Sequence, residues 1–173
     1  MKVIDNFLPD EIHQQFVDLL MSNDFPYYYI DGNNFLLTNT DNKAEDDFLF
    51  FHNLYGNPHN FNHTGGEIIS KYFNMLVMPL LGKLNFNNLL RARINLYTRK
   101  HEAIMSNMHR DIEEEHTVAL YYLNSNNGVT VFREGKRVPS VANQMLIFDG
   151  KLYHAVIPQT DKKIRININL NLS

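Results

Sequence analysis

The sequence predicts a mainly β domain of the double-sheet jelly-roll class, with helices at its N-terminal end. Three observations lead there. From Arg91 onward, short β segments follow one another, separated by turn signals. The residues before Arg91 carry two helical periodicities instead. The last segment, Ile164–Leu172, alternates strictly, with Arg165, Asn167, Asn169 and Asn171 on one parity and Ile or Leu on the other. Alternate residues of a strand face opposite ways, so one face is apolar and packs on a core. The other face carries an Arg and three Asn, which is costly in a sealed interior unless a polar cavity receives them. Helices followed by about seven strands fit an antiparallel roll backed by helices.

Each element follows from local chemistry. Leu8-Pro9-Asp10-Glu11 opens an amphipathic helix with Ile12, Phe16, Leu19 and Leu20 on one face. The region 23–62 is rich in Asn, Asp and aromatics and is expected to be long loops with one or two short strands. A second helix is expected over 67–81, where Ile68, Ile69, Tyr72, Phe73, Leu76 and Leu80 are spaced for one buried face. Strands are expected over 92–98, 117–124, 129–132, 144–148, 153–157 and 164–172. Turns are expected at Asn126-Asn127-Gly128, Glu134-Gly135-Lys136 and Asp149-Gly150. The whole chain, 1–173, reads as one domain, with a helical part over about 1–90 and a catalytic β core over about 91–173.

Composition narrows the chemistry. The chain has 173 residues, with 44% hydrophobic and 20% charged, as in an ordinary folded domain. It holds no cysteine, which excludes disulfides, thiolate nucleophiles, zinc thiolate sites and iron–sulfur clusters. Any metal must be held by His and carboxylate. No apolar run spans a membrane, and an acid at Asp5 interrupts any leader, so a cytoplasmic location is expected. The Asn-rich, Ala-poor usage reads as AT-rich coding, as in phages and some bacteria. A net charge of −3 argues against a basic nucleic-acid footprint.

His109-Arg110-Asp111 places an imidazole and a carboxylate at i and i+2. On an extended strand these share one face, roughly 7 Å apart at the backbone. His154 opens a later β segment and supplies a third ligand. Two imidazoles and one carboxylate on one face of an ion form the facial triad of non-haem Fe(II) oxygenases, with the opposite face open. Arg165 follows His154 by eleven residues, across the turn-like Pro158-Gln159-Thr160-Asp161. That is the length of a hairpin returning beside its start, which places Arg165 in the same cavity. Its guanidinium fork suits a carboxylate.

His109-x-Asp111, His154 and Arg165 together resemble the 2-oxoglutarate/Fe(II) dioxygenase superfamily. The stretches 119–124, 128–132 and 145–148, with His154-Ala155-Val156, resemble its prolyl 4-hydroxylase branch, and Val3-Ile4-Asp5-Asn6-Phe7-Leu8-Pro9 is similar to the opening of small phage and bacterial members. The resemblance implies a double-stranded β-helix, cupin-like, with Fe(II), 2-oxoglutarate and O2 as cofactor and cosubstrates. It implies metal ligation by His109, Asp111 and His154. It implies that Arg165, with Tyr122 or Tyr97, binds the far carboxylate of 2-oxoglutarate, and that Asn95 belongs to an Asn-x-Tyr cosubstrate motif. The chain departs from the pattern at Asn127-Gly128, where a glycine pair is usual. It also has Asn171 where nucleic-acid demethylases carry a second Arg. Asp111 sets it apart from halogenases.

The expected reaction is hydroxylation of a peptidyl or free amino acid such as proline, with succinate and CO2 released. The alternatives are a nucleobase or small-metabolite hydroxylase or demethylase, and a binding protein of the same fold without turnover. No stable nucleic acid and no membrane partner is expected. His52, His59 and His63 cluster in sequence and offer a second metal site, though a solvated loop is the plainer reading. His101 and His116 flank the triad in sequence, and His116 is a candidate support for a ligand. Glu113, Glu114 and Glu115 read either as a solvated loop or as an acidic rim favouring a basic substrate. Arg133, Lys136 and Arg137 read as a hairpin tip.

Overall fold

The computed structural model describes residues 1–31, 48–57 and 66–173. Among these, eleven strands and three helices occur in the order β1 (Lys2–Ile4), α1 (Asp10–Leu20), β2 (Tyr28–Asp31), β3 (Phe48–Gly56), β4 (Glu67–Ile68), α2 (Phe73–Leu76), α3 (Met78–Leu81), β5 (Leu89–Thr98), β6 (Thr117–Tyr122), β7 (Asn126–Phe132), β8 (Arg137–Ser140), β9 (Gln144–Asp149), β10 (His154–Ile157) and β11 (Ile164–Leu172). The main sheet runs β1-β9-β6-β11-β5-β3-β2, with β4 paired to β3. The second sheet runs β10-β7-β8. All pairings are antiparallel. No helix among the described residues is long and apolar enough to cross a membrane.

The strict alternation of β11 decides where the two interiors lie. Its Ile166, Ile168, Leu170 and Leu172 join a core on the helix side of the main sheet, with Phe16 and Leu20 of α1, Leu76 and Leu80. Tyr121 of β6 lies in the same core, and its hydroxyl bonds His13 of α1 at 2.6 Å and Asn143 at 3.0 Å. The other parity of β6, Val118, Leu120 and Tyr122, packs with Phe132, Val138, Leu146 and Phe148 in a second core between the sheets. Arg165, Asn167, Asn169 and Asn171 face that inter-sheet space and are all buried. The double-sheet roll backed by helices is therefore present, with a polar strip built into its inner face.

The structure departs from expectation in three places. Helix over 67–81 is not continuous: β4, α2 and α3 share the segment. Pro79 lies in the first turn of α3 and cannot donate to a preceding turn. Ser70 turns the chain before α2, since its Oγ accepts from Tyr72 N at 3.2 Å. Ile68 and Ile69 are accordingly exposed, and only Phe73, Leu76 and Leu80 of the expected face are buried. Second, the aromatic-rich region 23–62 supplies β2 and the nine-residue β3, which extends the main sheet beyond β5. With β1 and β4, the described residues before β5 thus hold four strands beside the helices. Third, Asn126-Asn127-Gly128 is no turn but the start of β7, with a register irregularity between Asn126 and Val129. Asn126 Oδ1 accepts from Gly128 N at 2.9 Å and stabilises that bulge locally. Strand β8 was not foreseen, and it carries Arg137 out of the hairpin tip.

Candidate metal centre and adjoining pocket

Backbone pairing brings the two histidines together. His109 and His154 form an isolated antiparallel bridge, exchanging N–H···O bonds of 2.9 and 3.0 Å. Two residues paired in this way project to the same side of a sheet, and their rings lie 4.6 Å apart. Each Nδ1 bonds a backbone carbonyl two residues earlier, Asn107 O and Leu152 O, both at 3.2 Å. That contact places the proton on Nδ1 and leaves Nε2 with its lone pair. The two Nε2 atoms lie 3.8 and 3.7 Å from Asp111 Oδ1. All three atoms are near enough to one another that a single ion with bonds of about 2.1 Å would be within reach of each. His109, Asp111 and His154 are the group of metal-ligating side chains that converges among the described residues.

The second oxygen of Asp111 is already engaged. Asn169 and Asn171 donate to Oδ2 at 2.9 and 3.1 Å. Arg91 donates from Nε to Asn171 Oδ1 at 2.8 Å and brings a terminal nitrogen to 3.8 Å from Asp111 Oδ1. Two of the three asparagines on the polar face of β11 are thus explained: they turn the carboxylate so that Oδ1 faces the imidazoles. Burial by itself would raise the Asp111 pKa, but the positive charges of His154, Arg91 and His109 outweigh it and hold the group well below the usual carboxylate range. Burial pushes His109 down to about 4, and the charge of His154 adds to this. Both ligands are therefore in their metal-binding protonation states near neutral pH.

This depression has a measurable consequence for the metal-free protein. A histidine with a folded pKa near 4, below its ordinary 6.5, binds fewer protons folded than unfolded in that interval. Its contribution to stability is complete above pH 6.5 and is lost as the pH falls towards 4, to an extent of at most about 3 kcal/mol. The urea midpoint of the metal-free protein should fall between pH 7 and 5, and His109→Gln should flatten that slope. An unchanged slope in the variant would refute this origin.

Arg165 closes the other end of the polar strip. It is fully buried, and its terminal nitrogens contact Thr130 Oγ1 at 3.2 Å and Ile157 O at 3.4 Å. Its Nε has no hydrogen-bond partner, and no carboxylate among the described residues pairs with it. Tyr122 and Tyr97 flank the guanidinium, with ring centres 5.7 and 5.8 Å from Cζ. The Tyr122 hydroxyl shares a 2.7 Å hydrogen bond with Thr130 Oγ1. Gly128 leaves room for this group, since a Cβ there would sit 3.1 Å from an Arg165 nitrogen. A buried cation costs several kcal/mol unless an anion meets it. The guanidinium is thus a candidate site for an anion.

Cross-strand register joins the two ends. Arg91, Arg93, Asn95 and Tyr97 of β5 stand opposite Asn171, Asn169, Asn167 and Arg165 of β11. Asn95 Nδ2 donates to Asn167 Oδ1 at 3.0 Å. The sequence-predicted residues His109, Asp111, His154, Arg165, Tyr122, Tyr97 and Asn95 are therefore brought to one polar strip on the inter-sheet side. Arg91, Arg93 and Thr130 were missed as parts of it, and Asn169 and Asn171, placed on the polar face by their alternation, were not linked to Asp111. The signal for two of them was legible, because Arg91, Arg93, Asn95 and Tyr97 alternate with Ala92, Ile94 and Leu96 as β11 does.

Other candidates resolve differently. His52 is buried outside this cavity, with Nδ1 on Pro26 O and Nε2 on Ser70 Oγ, both at 2.7 Å. His59 and His63, its companions in a second metal site, lie outside the described residues. His101 is exposed. His116 bonds Glu114 O and packs against Gly150, where a Cβ would lie 2.2 Å from its ring. The acidic rim is partly neutralised, since Glu113 pairs with Arg110 and Glu115 with Lys151.

The jelly-roll fold is shared with solved 2-oxoglutarate/Fe(II) oxygenases. Among solved structures, the chain is similar to a prolyl-4-hydroxylase from Pseudomonas putida (TM-score 0.60, 13% identity, 99% of this chain and 91% of that one). It is also similar to a Trichoplax adhaerens prolyl hydroxylase in complex with a hypoxia inducible factor oxygen degradation domain peptide fragment (TM-score 0.59, 19% identity, 99% and 82%). The viral collagen prolyl hydroxylase of Paramecium Bursaria Chlorella virus-1, in its 2OG complex, aligns at TM-score 0.52 with 13% identity over 98% and 93%. No protein-family model and no curated protein sequence matches the chain.

Proposed function

We propose that this protein is an Fe(II)- and 2-oxoglutarate-dependent oxygenase that hydroxylates a peptidyl or free amino acid, proline being the first candidate. The observation that carries the reading is one polar inter-sheet face holding both the His109/Asp111/His154 set and, at its other end, the buried Arg165 with no carboxylate of the described residues to meet it. His109 and His154 would hold the metal through Nε2 and Asp111 through Oδ1. Arg165, with Tyr122 and Tyr97 beside it, would take the far carboxylate of 2-oxoglutarate, and Asn95 lines the wall between. Bound together, Fe(II) and 2-oxoglutarate supply the activation of O2, with succinate and CO2 released. The protein's part is ligation, orientation and exclusion of water. Asn169, Asn171 and Arg91 fix the carboxylate, and the apolar packing of Phe132, Phe148 and Leu120 closes one side of the cavity.

The test is succinate formation from 2-oxoglutarate with added Fe(II) and O2, across free amino acids, proline-containing peptides and nucleosides. Succinate release that needs Fe(II) and rises with an amino acid or peptide is expected. Stimulation by nucleosides alone would move the reading to a nucleobase oxygenase. Absence of 2-oxoglutarate binding and of any turnover would leave a binding protein of this fold.

A further inference from the structure

The charge of the chain is unevenly spread. Its formal net charge is −3, yet one end of the second sheet is basic. Strand β7 ends at Phe132, which pairs with His154 of β10. The flanking residues Arg133 and Tyr153 continue that pairing, Arg133 N donating to Tyr153 O at 3.0 Å. Neighbouring residues of an extended chain face opposite ways, so this pair projects away from the inter-sheet space that receives His154. Arg137 of β8 shares the outer side. It stands opposite Val131, whereas its neighbour Val138 lies with Phe132 in the inter-sheet core. Arg110, between the ligands His109 and Asp111, lies with Arg133 over the Tyr153 ring, their Cζ atoms 5.3 and 4.0 Å from its centre.

The ion pairs near by decide what is left over. Arg110 is paired with Glu113 at 3.1 Å, and Lys151 with Glu115 at 2.8 Å. Arg133, Lys136 and Arg137 are exposed and form no ion pair among the described residues. Glu134 is the one acid in the same turn, so three cations against one acid leave a local charge of +2. Like charges on one short hairpin repel one another, and an anion on a partner relieves that repulsion. Arg133 is pre-set to meet one: with its side chain on the ring and its backbone tied to Tyr153, its guanidinium fork loses little freedom on binding a carboxylate. Three cations match one or two carboxylates. A nucleic-acid footprint is larger, commonly about six to ten phosphate contacts.

We propose that the outer side of the β7–β8 hairpin, with Arg133, Lys136 and Arg137 supported by Tyr153, docks an acidic stretch of the polypeptide that carries the oxidised residue. The inference rests on the oxygenase reading in its peptidyl form and adds the chemistry that flanks the reacting residue. The patch starts one residue from His154. An extended segment covers about 10–20 Å in three to six residues, so the Asp or Glu side chains belong about that far along the substrate.

The experiment uses labelled proline-containing peptides of one length whose flanking residues are Glu, Gln or Lys. Each is titrated into the protein loaded with Mn(II) and 2-oxoglutarate, which binds without turnover, and followed by fluorescence anisotropy. The Glu peptide should bind about three- to tenfold more tightly than the Gln peptide, the scale of a few exposed charge contacts. Raising salt from about 0.02 to about 0.3 M should shrink that preference. Arg133→Glu combined with Arg137→Glu should invert it in favour of the Lys peptide, with Mn(II) affinity, 2-oxoglutarate affinity and the thermal midpoint near wild type. Equal binding of the three peptides, no binding of any, or a Glu preference that survives the charge reversal would each overturn the inference and leave the oxygenase reading standing. Single-stranded DNA bound more tightly than the Glu peptide, and lost in the reversed variant, would give the patch to nucleic acid and also overturn it. Failure of the oxygenase reading shows separately, as absence of 2-oxoglutarate binding by the wild-type protein, and takes the substrate assignment with it.

Discussion

His154→Ala should abolish Fe(II)-dependent succinate formation and lower metal affinity by more than ~100-fold. Loss of groups that only support a ligand already costs 10–100-fold, and a ligand itself costs more. The loss leaves His109 and Asp111 as two ligands, which no longer define one face of an octahedron. His154 also packs on Phe148, with ring centres 5.0 Å apart, so an alanine leaves a gap in the inter-sheet core. His154→Gln keeps most of that volume and should lose metal to a similar degree. His109→Ala should behave alike. Calorimetric titration with Fe(II) under argon, with Mn(II) as a redox-stable check, reads the affinity directly. Wild-type metal binding in either His154 variant would remove the triad from the mechanism.

Arg165→Ala should separate cosubstrate from metal. Metal affinity should change little, because Arg165 lies at the far end of the strip from the ligands and contacts Thr130 and Ile157 O instead. The 2-oxoglutarate requirement should rise about 10- to 100-fold, as expected for losing a charge-assisted contact of about 1.5–3 kcal/mol. Arg165→Lys retains the charge without the fork and should fall between the two. Normal 2-oxoglutarate binding by Arg165→Ala would place the cosubstrate elsewhere.

Much of this site was legible because β structure has period two. On β11 the split between Ile or Leu and Arg or Asn requires one greasy and one polar face, and the structure places them on the helix-side core and the inter-sheet space respectively. His109-x-Asp111 was legible for the same reason. The roles of Asn169 and Asn171 were not, because a contact to Asp111 depends on a register between residues some sixty positions apart. The second helix failed for a local reason: apolar spacing over 67–81 satisfies a helical period, yet Ser70 and Pro79 redirect the backbone within it. One or two short strands were expected within 23–62, but the place and nine-residue length of β3 were not legible, because most of Phe48–Leu54 is apolar or aromatic and alternation carries no signal there.

The position of β11 also shapes how the protein reaches its native state. It lies between β5 and β6, pairing with both, and its partners Arg91 and Tyr97 precede it in the chain by about seventy to eighty residues. The two halves of the main sheet are joined only through that strand, so its pairing closes very long loops, whose entropy the cross-strand contacts must offset. Until insertion, Asp111 lacks Asn169 and Asn171, and the carboxylate has no fixed direction. The direction of the candidate ligand Asp111 thus depends on the same long-range pairing that completes the sheet.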